Sequence, residues 1–267
     1  MMTRTNPHFP LMSLIYIILS YVITWSILFP LSIVYNDMNY VSREIWHSLG
    51  SIGPAIGGLV ALSLLKKREG LFLLKDRLTK FSGWKILVFA FVPLIILLIS
   101  LLFESIFGLF NIVQFIEQNS LYDPINLLVF ILPSLFYGFF EEIGWRGFFL
   151  PHLQEKFNAL RSTLILTLVW WFWHFPTFFY RFNLLYGFVF MFPLMLTGSI
   201  VFTFLFNQSN GNLLMIILLH ISYNLVTSQQ ISLIAIILVS TFYVFMDIRI
   251  IKLYGIEHFS TQERVLL

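Results

Sequence analysis

The sequence predicts an all-α protein, a polytopic membrane helix bundle with about eight transmembrane helices, and three observations carry that prediction. Of its 267 residues, 58% are apolar and only 11% are charged, a balance outside the range of soluble domains. Apolar stretches of the length needed to cross a hydrocarbon core of roughly 30 Å recur along the chain. Lys and Arg gather in alternate connecting segments, as cytoplasmic loops require.

The spans fall near residues 10–34, 45–65, 84–107, 125–150, 161–180, 185–206, 211–227 and 230–250. The first begins behind a single Arg, but its apolar stretch exceeds a signal-peptide core of roughly 7–15 residues and no small-residue cleavage site follows, so it is expected to be retained. The second carries Gly53-Pro54-Ala55-Ile56-Gly57, a run of small residues suited to close helix approach. Residues 66–83 mix charges with Leu71, Phe72 and Phe81 and read as an amphipathic element lying along the membrane surface. The fourth span is apolar except for Glu141, Glu142 and Arg146, the fifth ends in Trp170-Trp-Phe-Trp-His174-Phe-Pro176, and the seventh carries His220 and Asn224. The last two are so close in sequence that they must form a tight hairpin. No soluble domain or repeat is visible, so residues 1–267 are expected to form a single transmembrane domain with a motif-bearing core at about 125–227.

With eight spans the termini share a side. That side carries Arg4, Lys66, Lys67, Arg68, Lys75, Arg77, Lys80, Lys85, Lys156, Arg161, Arg249, Lys252 and Arg264, against Arg43 and Arg181 opposite. Both termini are therefore expected in the cytoplasm of a multi-pass cell-membrane protein. The net charge of +3 reflects topology, not nucleic acid, because the basic residues form no stripe interleaved with exposed aromatics.

Absences narrow the chemistry. The chain has no cysteine, which removes thiol nucleophiles, disulfides and thiolate metal sites. It also lacks His-Glu-x-x-His, Gly-x-Ser-x-Gly and Gly-x-Gly-Asp. Carboxylates, imidazoles and amides remain. Each ionisable group at bilayer depth costs about 2.5–3.5 kcal/mol on insertion scales, so Glu141, Glu142 and Arg146 together mark a functional site. On a helix, adjacent glutamates point about 100° apart, while Glu142 and Arg146, four apart with the acid first, share a face. Arg146 is thus expected to neutralise and orient Glu142, leaving Glu141 to meet a metal or to act as a base. His220 and Asn224 share a face by the same spacing. If the fourth, fifth and seventh helices converge, a carboxylate, two imidazoles and an amide face one space, enough for a zinc site with an open position.

Glu141-Glu142-Ile-Gly-Trp-Arg146 resembles the Glu-Glu-x-x-x-Arg motif of the CPBP family, the type 2 CAAX prenyl proteases and bacteriocin-processing (Abi) proteins of the membrane. His174 resembles the family's Phe-x-x-x-His motif, with Trp170 in place of Phe, and His220 with Asn224 its His-x-x-x-Asn motif. The resemblance covers roughly residues 125–225. It implies an intramembrane metalloprotease acting on a prenylated, secreted or otherwise membrane-associated peptide, with the lipid bilayer as its surroundings.

Two mechanisms follow. In one, His174 and His220, with Glu141, bind zinc, Glu141 activates a water, and Asn224 stabilises the oxyanion or completes the metal shell. In the other, no metal takes part and His174, His220 and Asn224 form the oxyanion hole. Alternatives are a non-catalytic binding or immunity protein that keeps the cavity, or a transporter. On straight helices Glu141 and His174 differ in depth by perhaps 10–15 Å; a deeper start to the fifth helix or a bend near Pro133 and Gly138 would reconcile them. The site is expected in the cytoplasmic half, reached through a water-filled cavity. Trp145, Trp170, Trp171 and Trp173 read as packing or groove residues, and His8, His47, His152 and His258 carry no expected role.

Overall fold

The protein is described here by a computed structural model that covers residues 9–227 and 231–267; Arg4 and His8 lie outside the described residues. Among the described residues the regular elements are all helical. They are α1 (Phe9–Val34), α2 (Tyr40–Leu49), α3 (Ile52–Thr79), α4 (Trp84–Ala90), α5 (Val92–Ile106), α6 (Ile112–Gln118), α7 (Pro124–Phe136), α8 (Glu142–Gly144), α9 (Leu150–Gln154), α10 (Ala159–Trp173), α11 (Phe192–Gln208), α12 (Leu213–Thr227) and α13 (Leu233–His258).

Among the described residues five segments are long and apolar enough to cross a bilayer: Phe9–Asp37, Tyr40–Thr79, Pro124–Gln154, Tyr186–Gln208 and Leu233–His258. The α4 and α5 helices make a sixth that bends by 53°. The bend has a local cause, because Pro93 has no N–H to donate to the Phe89 carbonyl; beside the break the Ala90 carbonyl accepts the Ser222 hydroxyl at 2.6 Å. The remaining two expected spans are the apolar helices α10 and α12, each 15 residues long and so only about 22 Å. The fifth span ends at Trp173 rather than 180, since the ring of Pro176 cannot continue the helix.

Tertiary contacts put the 124–154 segment at the centre, with α2, α3 and α12 packed around it. It starts on an Asp123 cap, whose carboxylate accepts the Ile125 and Asn126 amides, with Pro124 in the first-turn position that needs no donor. Small residues let α3 reach it: a Cβ on Gly144 would lie 2.3 Å from the Pro54 carbonyl oxygen, and one on Gly58 would lie 3.0 Å from Gly144 Cα. The expected close approach of 53–57 is also made to α1, where a Cβ on Gly53 would meet Thr24 Oγ1 at 2.3 Å. Thr24 donates across this contact to the Gly50 carbonyl at 2.7 Å.

The 66–83 region departs from a simple surface helix. Lys67 has φ 53, which breaks α3. The piece beyond it buries Leu74 and Arg77, and Arg77 donates to the Leu266 carbonyl at 2.8 Å. At the same end Gln154 Nε2 donates to the Val265 carbonyl at 2.8 Å, and the Gln154 and Asn207 amides exchange hydrogen bonds at 3.1 and 2.9 Å. The C-terminal residues therefore close the end of the bundle that holds the 154–159 and 208–212 connections.

Gly144→Ala should cost about 1–3 kcal/mol by overpacking against a backbone carbonyl, read as a lower Tm of the detergent-solubilised protein. Gly198→Ala, where a Cβ meets nothing within 4 Å, should leave the Tm unchanged.

Candidate active site

The centre of the 124–154 segment is not a regular α-helix. Tyr137–Glu141 and Trp145–Phe149 are π-helical turns on either side of the short α8. Such widened turns re-aim side chains and recur at functional sites. No feature of the sequence announces them.

Glu142 and Arg146 form the expected pair, with Arg146 Nη1 at 2.9 and 3.2 Å from the two Glu142 oxygens, and both residues fully buried. Three neighbours, His220, Trp170 and Phe202, flank the pair. His220 Nδ1 lies 2.7 Å from Glu142 Oε1. The guanidinium sits between the rings of Trp170 and Phe202, 4.9 Å from each centroid, where the ring faces attract its charge. Together α8, α11, α12 and α10 are tied to one buried ion pair.

Glu141 is equally buried but has no cation partner. Its Oε2 accepts the Trp145 indole N–H at 3.0 Å and also the Trp170 indole N–H. Those indoles are the partners that sequence reasoning missed; Trp145, four residues after Glu141, offered the signal. Trp171 and Trp173 serve packing, donating to the Gly187 and Ser20 carbonyls.

His174 is held by the way its helix ends. Its backbone N–H turns to the Trp171 carbonyl, leaving the Trp170 carbonyl free, and His174 Nδ1 takes it at 2.8 Å. Both imidazoles thus direct Nδ1–H at an oxygen that can only accept, which fixes their neutral tautomer with Nε2 as a free acceptor. Among the described residues no protein group bonds either Nε2.

Glu141, His174, His220 and Asn224 line one cavity of about 710 Å³, within the range of small-molecule and peptide sites, roughly 300–1,000 Å³. Glu142 and Arg146 do not line it and instead brace the wall. The depth conflict between Glu141 and His174 eases with the observed helix ends. The 124–154 segment simply runs four residues past the expected end at 150. Counted from that end, Glu141 is then about 20 Å and His174 about 22 Å deep at 1.5 Å per residue.

The cavity's other lining residues include Tyr137, Arg181, Asn183 and Thr227. These lie toward the end opposite the C-terminal seal. The cavity therefore extends toward that end. His47, assigned no role above, lines this part and bonds the hydroxyls of Tyr180 and Tyr137 through Nδ1 at 2.8 and 3.3 Å. His152 is a packing residue, stacked on Phe9 and Phe148.

The two imidazoles suit a divalent metal in donor type and anchoring. Among the described residues, however, no three His, Cys, Asp or Glu side chains are gathered closely enough to hold one, and Glu141 is turned onto the indoles.

Fold and site define a class: a multi-pass helical membrane protein with a buried carboxylate and two oriented imidazoles facing a cavity. The family model described as type II CAAX prenyl endopeptidase Rce1-like matches residues 123–226. The chain is also 26% identical over 192 residues to CAAX prenyl protease 2 of Methanococcus maripaludis, covering 66% of this chain and 69% of the relative. Both matches support membership of this chain in the CPBP family, and with it a peptidase at the membrane.

Removing one partner of the buried pair should be more damaging than neutralising the unpaired acid. Arg146→Met is expected to cost about 3–5 kcal/mol by leaving Glu142 buried and uncompensated, measured as loss of folded yield and of Tm beside Glu141→Gln.

Proposed function

We propose that this chain is an intramembrane endopeptidase that hydrolyses a peptide bond of a membrane-associated peptide, in which Glu141 activates the attacking water. The observation that carries the reading is the contrast between the two glutamates. Glu142 is neutralised by Arg146 and lies behind the wall, whereas Glu141 has no counter-ion and lines the cavity with His174, His220 and Asn224. The relative named CAAX prenyl protease 2 makes a prenylated C-terminal peptide the first substrate class to try.

In this reading Glu141 takes a proton from water as its oxygen attacks the scissile carbonyl, and later delivers that proton to the leaving amine. The indoles of Trp145 and Trp170 hold the carboxylate in place while its other oxygen stays available. Asn224 donates its amide N–H to the oxyanion. The fixed tautomers bear on the choice between mechanisms. With Nδ1–H already committed, a neutral His174 or His220 presents a lone pair, not a donor, so these rings suit a metal or a water better than an oxyanion. A divalent ion, zinc by donor type, would be held by the two Nε2 atoms of His174 and His220, leaving Glu141 as the base, and would polarise the carbonyl oxygen. A glutamate mechanism without metal would need the imidazoles protonated before they could donate. By the distribution of basic residues, the protein would sit in the cell membrane with both termini cytoplasmic.

Glu141→Gln should lower cleavage by about 10²- to 10⁴-fold, the usual contribution of a general base, with the Tm retained. Near wild-type cleavage by this variant would overturn the role of Glu141. Inductively coupled plasma mass spectrometry of the purified protein should find near-stoichiometric zinc in wild type and its loss in His174→Ala and His220→Ala. Folded wild type without metal after zinc is added back would leave the metal-free glutamate mechanism.

A further inference from the structure

A second group of charges stands at the far end of the same cavity. Arg181 directs Nη1 at both oxygens of Glu44, at 2.7 and 2.8 Å, and at the Tyr35 hydroxyl at 2.9 Å. Tyr35 also donates to Glu44 Oε1 at 3.0 Å, and Arg43 Nε lies 3.7 Å from the same oxygen. Two guanidinium groups thus share one carboxylate, leaving the cluster with a net positive charge. One corner of Arg181 is pinned by these bonds. Its other edge, Nε and Nη2, bonds no protein group among the described residues, and Arg181 lines the cavity. In the sequence Arg181 reads as an ordinary residue of a short connecting segment.

From this geometry we infer that Arg181 is a specificity-determining residue, whose free guanidinium edge binds a carboxylate of the peptide substrate while Glu141 addresses the scissile bond. The inference rests on the endopeptidase reading above. A planar fork of two N–H groups matches the two oxygens of a carboxylate. Glu44 and Tyr35 hold the fork in place, so little side-chain freedom is lost on binding. Only the five-residue turn Phe175–Phe179 and Tyr180 separate His174 from Arg181. Seven steps at about 2 Å per residue set the two no more than roughly 14 Å apart along the chain, a distance about four residues of extended peptide can bridge. The cavity is therefore polarised, with a carboxylate in its depth and a guanidinium near its mouth. A peptide would enter in one direction, its carboxylate retained at Arg181 and its reacting carbonyl beside Glu141.

The test is a matched pair of farnesylated peptides, identical except for a C-terminal carboxylate or carboxamide, cleaved by the full-length protein in detergent. Wild type should prefer the acid by roughly tenfold to a hundredfold in kcat/KM, the usual effect of a charge-assisted hydrogen bond. In Arg181→Gln the ratio should fall to near one, and in Arg181→Lys to an intermediate value. The ratio is taken within each protein, so a smaller folded fraction cancels. Should Arg181→Gln fail to fold around an unpaired Glu44, the double variant Glu44→Gln with Arg181→Gln removes both charges together and is expected to give the same ratio near one. Cleavage of both peptides by wild type at equal kcat/KM, or an acid preference that survives Arg181→Gln, would overturn the subsite and leave the endopeptidase reading intact. Failure of folded wild type to cleave either peptide would overturn both.

Discussion

The buried pair of Glu142 and Arg146 is the constraint on which the rest of the structure depends. Two charges with no exposed surface are tolerable at membrane depth only when each is paired and further bonded. Their needs recruit the surroundings: the aromatic faces of Trp170 and Phe202 for the guanidinium, and His220 for the carboxylate. Three helices are thereby registered against the 124–154 segment. The same contact fixes the ring of His220, so a structural pair also sets the tautomer of a candidate site residue.

Division of labour between adjacent glutamates follows from local backbone geometry. The π-helical turns on either side of α8 widen the helix where Glu141 and Glu142 diverge. One acid enters the ion network while the other faces the cavity under two indoles. Gly144 makes this possible from behind, since any side chain there would collide with the Pro54 carbonyl and push α3 off the segment. Packing, charge pairing and site geometry are thus parts of one arrangement within two or three helical turns.

Much of this was legible in the sequence, because the signals were local or strongly constrained. Long apolar runs announce membrane helices, and an i, i+4 acid and base announce their own pairing. The motifs at Glu141, His174 and His220 announced the residues that meet at the cavity. The features that were not legible depend on contacts between distant segments or on small changes in helical winding. The indole bond from Trp170 to Glu141 links two helices. The continuation of the fourth span to Gln154 depends on the amide pair with Asn207 and on the C-terminal residues. His47 and Arg181 read as membrane-edge residues because nothing in their own neighbourhoods shows that α2 and the segment after α10 converge on the cavity.

The central claim is that Glu141, and not Glu142, is the carboxylate presented to the cavity. Treating the folded protein with a hydrophobic carbodiimide and mapping the adducts by mass spectrometry tests this most directly, because the reagent modifies accessible carboxyl groups within the membrane. The account predicts an adduct on Glu141, with Glu142 protected by Arg146 and His220. An adduct on Glu142, with Glu141 unmodified in folded protein, would contradict it.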